Sequence, residues 1–287
     1  MDATTIITQI FLPISLAIIM FGMGLTLVIN DFARLFTYPK EVFIGLCNQL
    51  VFLPLIGFLI ILLFDLNSSM AIGIMILSLC PGGPTSNLIT QVARGNIGLS
   101  VTLTALASLI TVFTIPIILS EAIVYFTGET DVVIELPVVQ TMIQILAITV
   151  IPVSIGMVIR KKNEVFALRM ESPMRIASTV LFIIIFLLVM FANKDLIVQA
   201  MKEVGFATLL LNLSTMAMGY ITAKVFGIKG KSQVSITIES GIQNGTLAFV
   251  IASTILNNVE MGLPTGAYSI WMFITGGILM WRLGSSK

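Results

Sequence analysis

Within ITIESGIQNGT, residues 236–246, Glu239, Ser240, Gln243, Asn244 and Thr246 crowd a carboxylate, two amides and two hydroxyls into an otherwise apolar stretch. Oxygens of these kinds are what a hard cation takes as ligands. A charged acid left alone at the centre of a lipid bilayer costs at least ~2.5 kcal/mol on insertion scales, and a bound Na+ would offset that cost. A second polar stretch, CPGGPTSN at 80–87, lies in similarly apolar surroundings. Beyond it, Ser100 and Thr104 are four residues apart and so share one face of a helix. Asn48 and Gln49 place two amides in another apolar run. Each of these groups also has a plainer role. The hydroxyls can bond back to a carbonyl one turn earlier. The amides, together with Asn212, Ser214 and Thr215, can tie helices to one another.

The elements that must position these residues cross a membrane. Of 287 residues, 57% are hydrophobic and only 10% charged, against roughly 25% charged in a soluble domain. Apolar stretches of about 20 residues, enough to cross the hydrocarbon core, recur nine times: about 6–28, 41–64, 69–93, 96–127, 138–160, 173–193, 204–226, 232–258 and 264–283. The fourth contains Pro116 and is expected to tilt or kink. The connections are short, so the chain reads as one all-α polytopic membrane unit. With nine spans, thirteen of the fifteen Lys and Arg residues, from Arg34 to Lys287, fall on one side and only Lys194 and Lys202 on the other. The positive-inside rule then puts the N-terminus outside and the C-terminus in the cytoplasm. MDATTIITQIF lacks the positive n-region of a cleavable signal peptide. Cys47 and Cys80 both fall in apolar segments and read as small buried hydrophobes, not as a disulfide.

Both polar stretches interrupt a span. Pro81 and Pro84 each remove a backbone donor, and Gly82 and Gly83 loosen the chain between them, so no helix runs unbroken through this segment. Gly241 and Gly245 loosen the chain around the second stretch. Broken helices persist at membrane depth only where they are buried in protein or line a cavity. Breaks in the third and eighth spans, each leading into a polar cluster (PTSN and IQNGT), predict an inverted repeat with its site at the midplane. If the repeat is five plus five, nine spans mean that the first helix is missing. Half-helix N-termini would present partial positive charge to an anion, and C-terminal carbonyls partial negative charge to a cation.

Three motifs, FGMGLTL at 21–27, PGGPTSNLITQVARGN at 81–96 and ITIESGIQNGTLA at 236–248, closely resemble the bile acid:sodium symporter family, and the resemblance covers almost the whole chain. The span count matches the family's nine-helix members, and the compact chain suggests a bacterial one. The resemblance implies two discontinuous helices, the third and eighth spans, crossing in a core domain. It also implies a panel domain made of the first, fifth and sixth spans (about 6–28, 138–160 and 173–193) that moves against that core. It implies two Na+ ions at the crossing. One would be held by Ser86, Asn87, Ser100, Thr104 and Glu239, the other by Gln49, Glu239, Gln243 and the backbone carbonyls of Ser240 and Ile242. It places Asn244 in the substrate cavity, with Thr85 and Thr246 of the same polar clusters beside it. The last span departs from the family pattern. Where many relatives carry a WHN-like stretch it reads Trp271-Met272-Phe273, and Pro84 stands where some relatives have a small polar residue. Met272 and Phe273, as cavity residues, would make the substrate site more apolar.

The resulting expectation is a secondary active transporter of the plasma membrane, sufficient as a monomer. It would import bile acids or a related amphipathic organic anion with Na+ by alternating access. A proton-coupled or sodium-coupled carrier of a different small organic acid stays open, as does a non-transporting membrane receptor, because function belongs to the site and not to the fold. Histidine is absent, and neither an H-E-x-x-H helix nor a nucleophile–base pair is visible, so no enzyme activity is expected. A net charge of +1 and the lack of a basic stripe argue against nucleic acid as a partner.

Overall fold

The computed structural model describes residues 7–128, 136–170 and 194–284, with isolated positions between 173 and 184. The sixth expected span, 173–193, therefore lies mostly outside the described residues. A π turn at Ile7–Phe11 leads into α1, Leu12–Thr26. A short helix α2, Ile29–Thr37, precedes α3, Pro39–Phe64, which contains a π turn at Asn48–Phe52. The third expected span is split into α4, Ser68–Leu79, and α5, Pro84–Val92. Then come α6, Ile97–Thr127, α7, Val138–Lys162, and α8, Lys194–Val225. The eighth expected span is split into α9, Lys231–Gly241, and α10, Gly245–Ile255, and α11, Leu263–Gly284, closes the described chain.

Local chemistry sets these boundaries. Asn67, Asn96 and Asn244 begin α4, α6 and α10, each side-chain oxygen accepting the backbone N–H three residues on at 3.0–3.1 Å. Pro39 and Pro84 occupy first helical positions, where a missing N–H costs nothing. α6 continues through Pro116 as one helix. α8 begins at Lys194 instead of near residue 204, because its first turns are polar and carry no hydropathy signal. α2 falls where the sequence reads as a loop.

Among the described residues, six helices are long and apolar enough to cross a membrane, and the chain is a multi-pass membrane protein. Their outward faces carry Leu59, Leu63, Val124, Ile143 and Phe206, as a lipid-facing surface requires. The short half-helices are treated differently. All ten residues from Met70 to Leu79 in α4 are buried, as are all six from Gly245 to Val250 in α10. A half-helix ends its hydrogen-bond ladder at mid-depth, so it has to be wrapped by other helices and kept from lipid.

The first and fifth expected spans, α1 and α7, pack backbone to backbone. A Cβ on Gly24 would fall 2.2 Å from the Val153 carbonyl oxygen, and one on Gly156 would fall 2.5 Å from that of Phe21. Small residues permit such close helix contacts in membranes. Gly156→Ala is accordingly expected to cost about 1–3 kcal/mol by overpacking, seen as a lowered thermal unfolding midpoint of the purified protein. An unchanged midpoint would show that the pair is not held this closely.

Candidate cation site and substrate cavity

The two chain breaks cross each other. Between α4 and α5 the backbone is extended at Cys80 and again at Gly83, and Ile242 is extended between α9 and α10. Gly82 and Gln243 form an antiparallel bridge, and the Asn244 N–H donates to the Pro81 carbonyl at 2.9 Å. Backbone groups released by one break are thus partly satisfied by the other. The remaining carbonyl at the end of α9, that of Gly241, accepts from Asn212 Nδ2 and from the Tyr268 hydroxyl, each at 2.8 Å. Asn212 in turn accepts from Thr275 at 2.8 Å. Asn212 is therefore more than helix-to-helix glue, since it caps the broken helix. Thr215 bonds back to Leu211 in its own helix, and Asn48 ties α3 to α8 through Thr222 at 2.8 Å.

Glu239 sits in the last turn of α9 and is fully buried. Its Oε1 accepts from Ser86 at 2.6 Å and from Ser100 through a short hydrogen bond. Its Oε2 accepts from Thr104 at 3.0 Å and from Gln49 Nε2 at 3.1 Å. Four donors from α3, α5 and α6 therefore converge on one carboxylate, which is how a buried charge is made tolerable. Asn87 stands one step back, its Oδ1 accepting from Ser100 at 2.8 Å. The Ser100 and Thr104 hydroxyls reach the carboxylate, and Thr104 bonds back to the Ser100 carbonyl as well.

Two oxygens in this cluster have no hydrogen-bond partner although they are buried, Gln49 Oε1 and Gln243 Oε1. A buried carbonyl oxygen without a donor is costly and uncommon. Gln243 Nε2 donates to the Ser240 carbonyl at 2.9 Å, and Gln49 Nε2 also donates to the Glu239 carbonyl at 3.2 Å. The Ser240 hydroxyl points elsewhere, to Ile236. Orphaned amide oxygens, a carboxylate and backbone carbonyls are the donor chemistry that a small hard cation such as Na+ takes as ligands. Gly82 lets the chain pass close against this group, since a Cβ there would stand 2.5 Å from Glu239 Oε2 and 3.5 Å from Gln49 Nε2.

Next to the crossing is a cavity of about 730 Å³, a volume typical of small-molecule sites. Thr85, Asn244, Thr246, Met272 and Phe273, the five residues expected at a substrate site, all line it, as do Asn87 and Gln243. Asn244, Thr246 and Met272 are buried, whereas the polar Gln91 is exposed and the Arg34 side chain is 39% exposed, so the cavity opens to water on that side. Met272 is buried in the cavity wall, while Phe273 is 46% exposed. Sequence reasoning missed Asp31 and Arg34 of α2, which also line the cavity. Their i, i+3 spacing is plain in the sequence, but it carries meaning only once that segment is a helix. Tyr268 was missed too, although a tyrosine in an apolar span signals a hydroxyl that needs a partner.

Residues 13–200 match the Sodium Bile acid symporter family. Over 279 residues the chain is 29% identical to a probable chloroplastic sodium/metabolite cotransporter of Arabidopsis thaliana, covering 96% of this chain and 67% of that protein. It is 29% identical over 271 residues to an uncharacterized sodium-dependent transporter of Bacillus subtilis, covering 94% and 81%. It is 24% identical over 261 residues to the human ileal sodium/bile acid cotransporter, covering 90% and 73%.

Proposed function

Because this chain belongs to the sodium bile acid symporter family, we propose that it is a sodium-coupled symporter that imports an amphipathic organic anion across the plasma membrane by alternating access. The observation that carries this reading is a buried carboxylate, Glu239, at the crossing of two broken helices, in a polar cluster that leaves two amide oxygens, Gln49 Oε1 and Gln243 Oε1, without partners. The family and its relatives support Na+ as the coupled ion. The relatives' names span metabolites and bile acids, so bile acid is one member of the substrate class and not its definition.

In this reading two Na+ ions share Glu239. One lies toward Ser86, Asn87, Ser100 and Thr104. The other lies toward Gln49, Gln243 and the carbonyls of Ser240 and Ile242, displacing the Gln243 N–H that now occupies the Ser240 carbonyl. The ions fix the two half-helix ends, and the anion then binds in the cavity beside Asn244, Thr85 and Thr246. Met272 and Phe273 give the site its apolar side. Nine spans form an inverted repeat without its first helix, and the panel of the first, fifth and sixth spans rocks against the core. With the N-terminus outside, the open end of the cavity faces the cytoplasm, so this is the releasing state. Na+ drives import only if it binds one state better than the other.

Uptake of cholate into proteoliposomes at fixed pH tests the reading. An inward Na+ gradient is expected to drive accumulation, and replacing Na+ by K+ to abolish it. Accumulation driven by a proton gradient without Na+ would instead establish a proton-coupled carrier. Na+-dependent binding without flux would point to a receptor.

A further inference from the structure

Of the described residues that line the cavity, two are charged, Asp31 and Arg34, and both come from α2. They are not equivalent. The Asp31 side chain is buried, its Oδ2 accepts from the Val28 N–H at 2.9 Å, and its own carbonyl accepts from Thr102 of α6 at 2.8 Å. Asp31 is thus a fixed part of the joint between α2 and α6. Arg34 Nη2 stands 3.7 Å from Asp31 Oδ1, and its side chain is 39% exposed. At that distance the pair is a Coulomb contact and not a hydrogen bond, so the guanidinium keeps donors for a ligand. Its seat is shaped for it: a Cβ on Gly98 would fall 1.2 Å from Arg34 Nη1. The guanidinium therefore lies directly on the first turn of α6, the positive end of that helix, where a cation gains nothing from the backbone. Among the described residues, the single carboxylate of Asp31 is what is arranged to hold it there.

We propose that Arg34 is the residue that receives the carboxylate of the transported anion at the open end of the cavity. A planar guanidinium matches a carboxylate bidentately, and such charge-assisted pairs are the strong ones. Elsewhere the lining offers Met272, Phe273, Ile19 and Met23 to an apolar body. The substrate class this selects is an amphipathic monocarboxylate bound with its charge toward the open end. The assignment rests on the symport reading for its transport role, but the binding itself can be tested separately.

The test is thermal stabilisation of the purified full chain by cholate, by phenylacetate as a smaller carboxylate, and by uncharged methyl cholate, each with and without Na+. The variants are Arg34→Gln, Arg34→Lys and Gly98→Ala. In the wild type, cholate is expected to stabilise. In Arg34→Gln its midpoint concentration rises about tenfold or more, the size of a lost charged hydrogen bond. Arg34→Lys recovers part of the loss, and any response to methyl cholate is the same in all proteins. Gly98→Ala keeps the charge and improves helix propensity, yet its methyl group unseats the guanidinium, so it should mimic Arg34→Gln even if the latter folds poorly. The Na+ midpoint stays unchanged in every variant. An unaltered cholate midpoint in Arg34→Gln and Gly98→Ala would overturn the assignment. A wild type that responds to Na+ but to neither carboxylate would overturn it as well. A wild type that binds cholate but is blind to Na+ would strike at the symport reading, and the same comparison of variants would still judge Arg34.

Discussion

Glu239→Gln is expected to abolish Na+-driven uptake and to flatten the rise of thermal stability with Na+ concentration, while leaving a folded protein. The substitution is nearly isosteric, and Ser86, Ser100 and Thr104 can each turn a hydroxyl to accept from an amide as readily as donate to a carboxylate. Packing at this fully buried position is therefore preserved. What is lost is the one formal charge in the proposed ligand sets of both ions. Opposite unit charges about 4 Å apart are worth roughly 4 kcal/mol at an effective dielectric of 20, about a thousandfold in affinity. A cation that binds only the folded state stabilises it by a term that grows with the logarithm of concentration, so the titration reads binding without needing transport. Glu239→Gln protein that keeps a wild-type Na+ midpoint would place the ion elsewhere.

The sequence makes the core of this site readable because membrane physics penalises what it contains. An acid within an apolar span, and two prolines and two glycines in succession, are each expensive in lipid, so Glu239 and the Pro81–Pro84 break stand out from composition and order alone. Ser86, Ser100, Thr104 and Gln49 follow as polar groups at helical spacing or inside spans, and all four donate to Glu239. The support around them is less legible. Asn212 and Tyr268 act on a backbone carbonyl, that of Gly241, and no side-chain pattern announces a carbonyl in need of a partner. The polar start of α8 and the whole of α2 lack hydropathy contrast. A nine-residue amphipathic helix therefore reads as a charged loop, and its Arg34 as one more cytoplasmic positive charge. The cavity residues Thr85, Asn244, Thr246, Met272 and Phe273 are legible only through family likeness and their place in or beside polar clusters. Their convergence is a three-dimensional fact that spacing alone does not contain.

Two adjacent glycines at the crossing give a sharper test of geometry than removing any ligand. A Cβ on Gly82 would stand 2.5 Å from Glu239 Oε2 and 3.4 Å from Ser86 Oγ. The carboxylate is held by four donors and cannot withdraw without breaking some of them, so the Gly82→Ala methyl group would occupy space the cation needs. On Gly83 the nearest atom to a Cβ is Asn244 Cα at 3.3 Å, on the cavity side, where a shift of a few tenths of an ångström relieves the contact. Both glycines lack the positive φ that would forbid alanine on backbone grounds, and both changes add the same methyl group. Gly82→Ala is therefore expected to weaken Na+ binding by more than about tenfold, since losing even one strong ligand contact costs over 1.4 kcal/mol. Gly83→Ala should leave the Na+ midpoint within about twofold and alter cholate affinity instead. Measuring both midpoints in both variants separates an ion site on one face of the extended segment from a substrate site on the next. If the two variants lose Na+ binding equally, the ion is not seated between Gly82, Glu239 and Gln49.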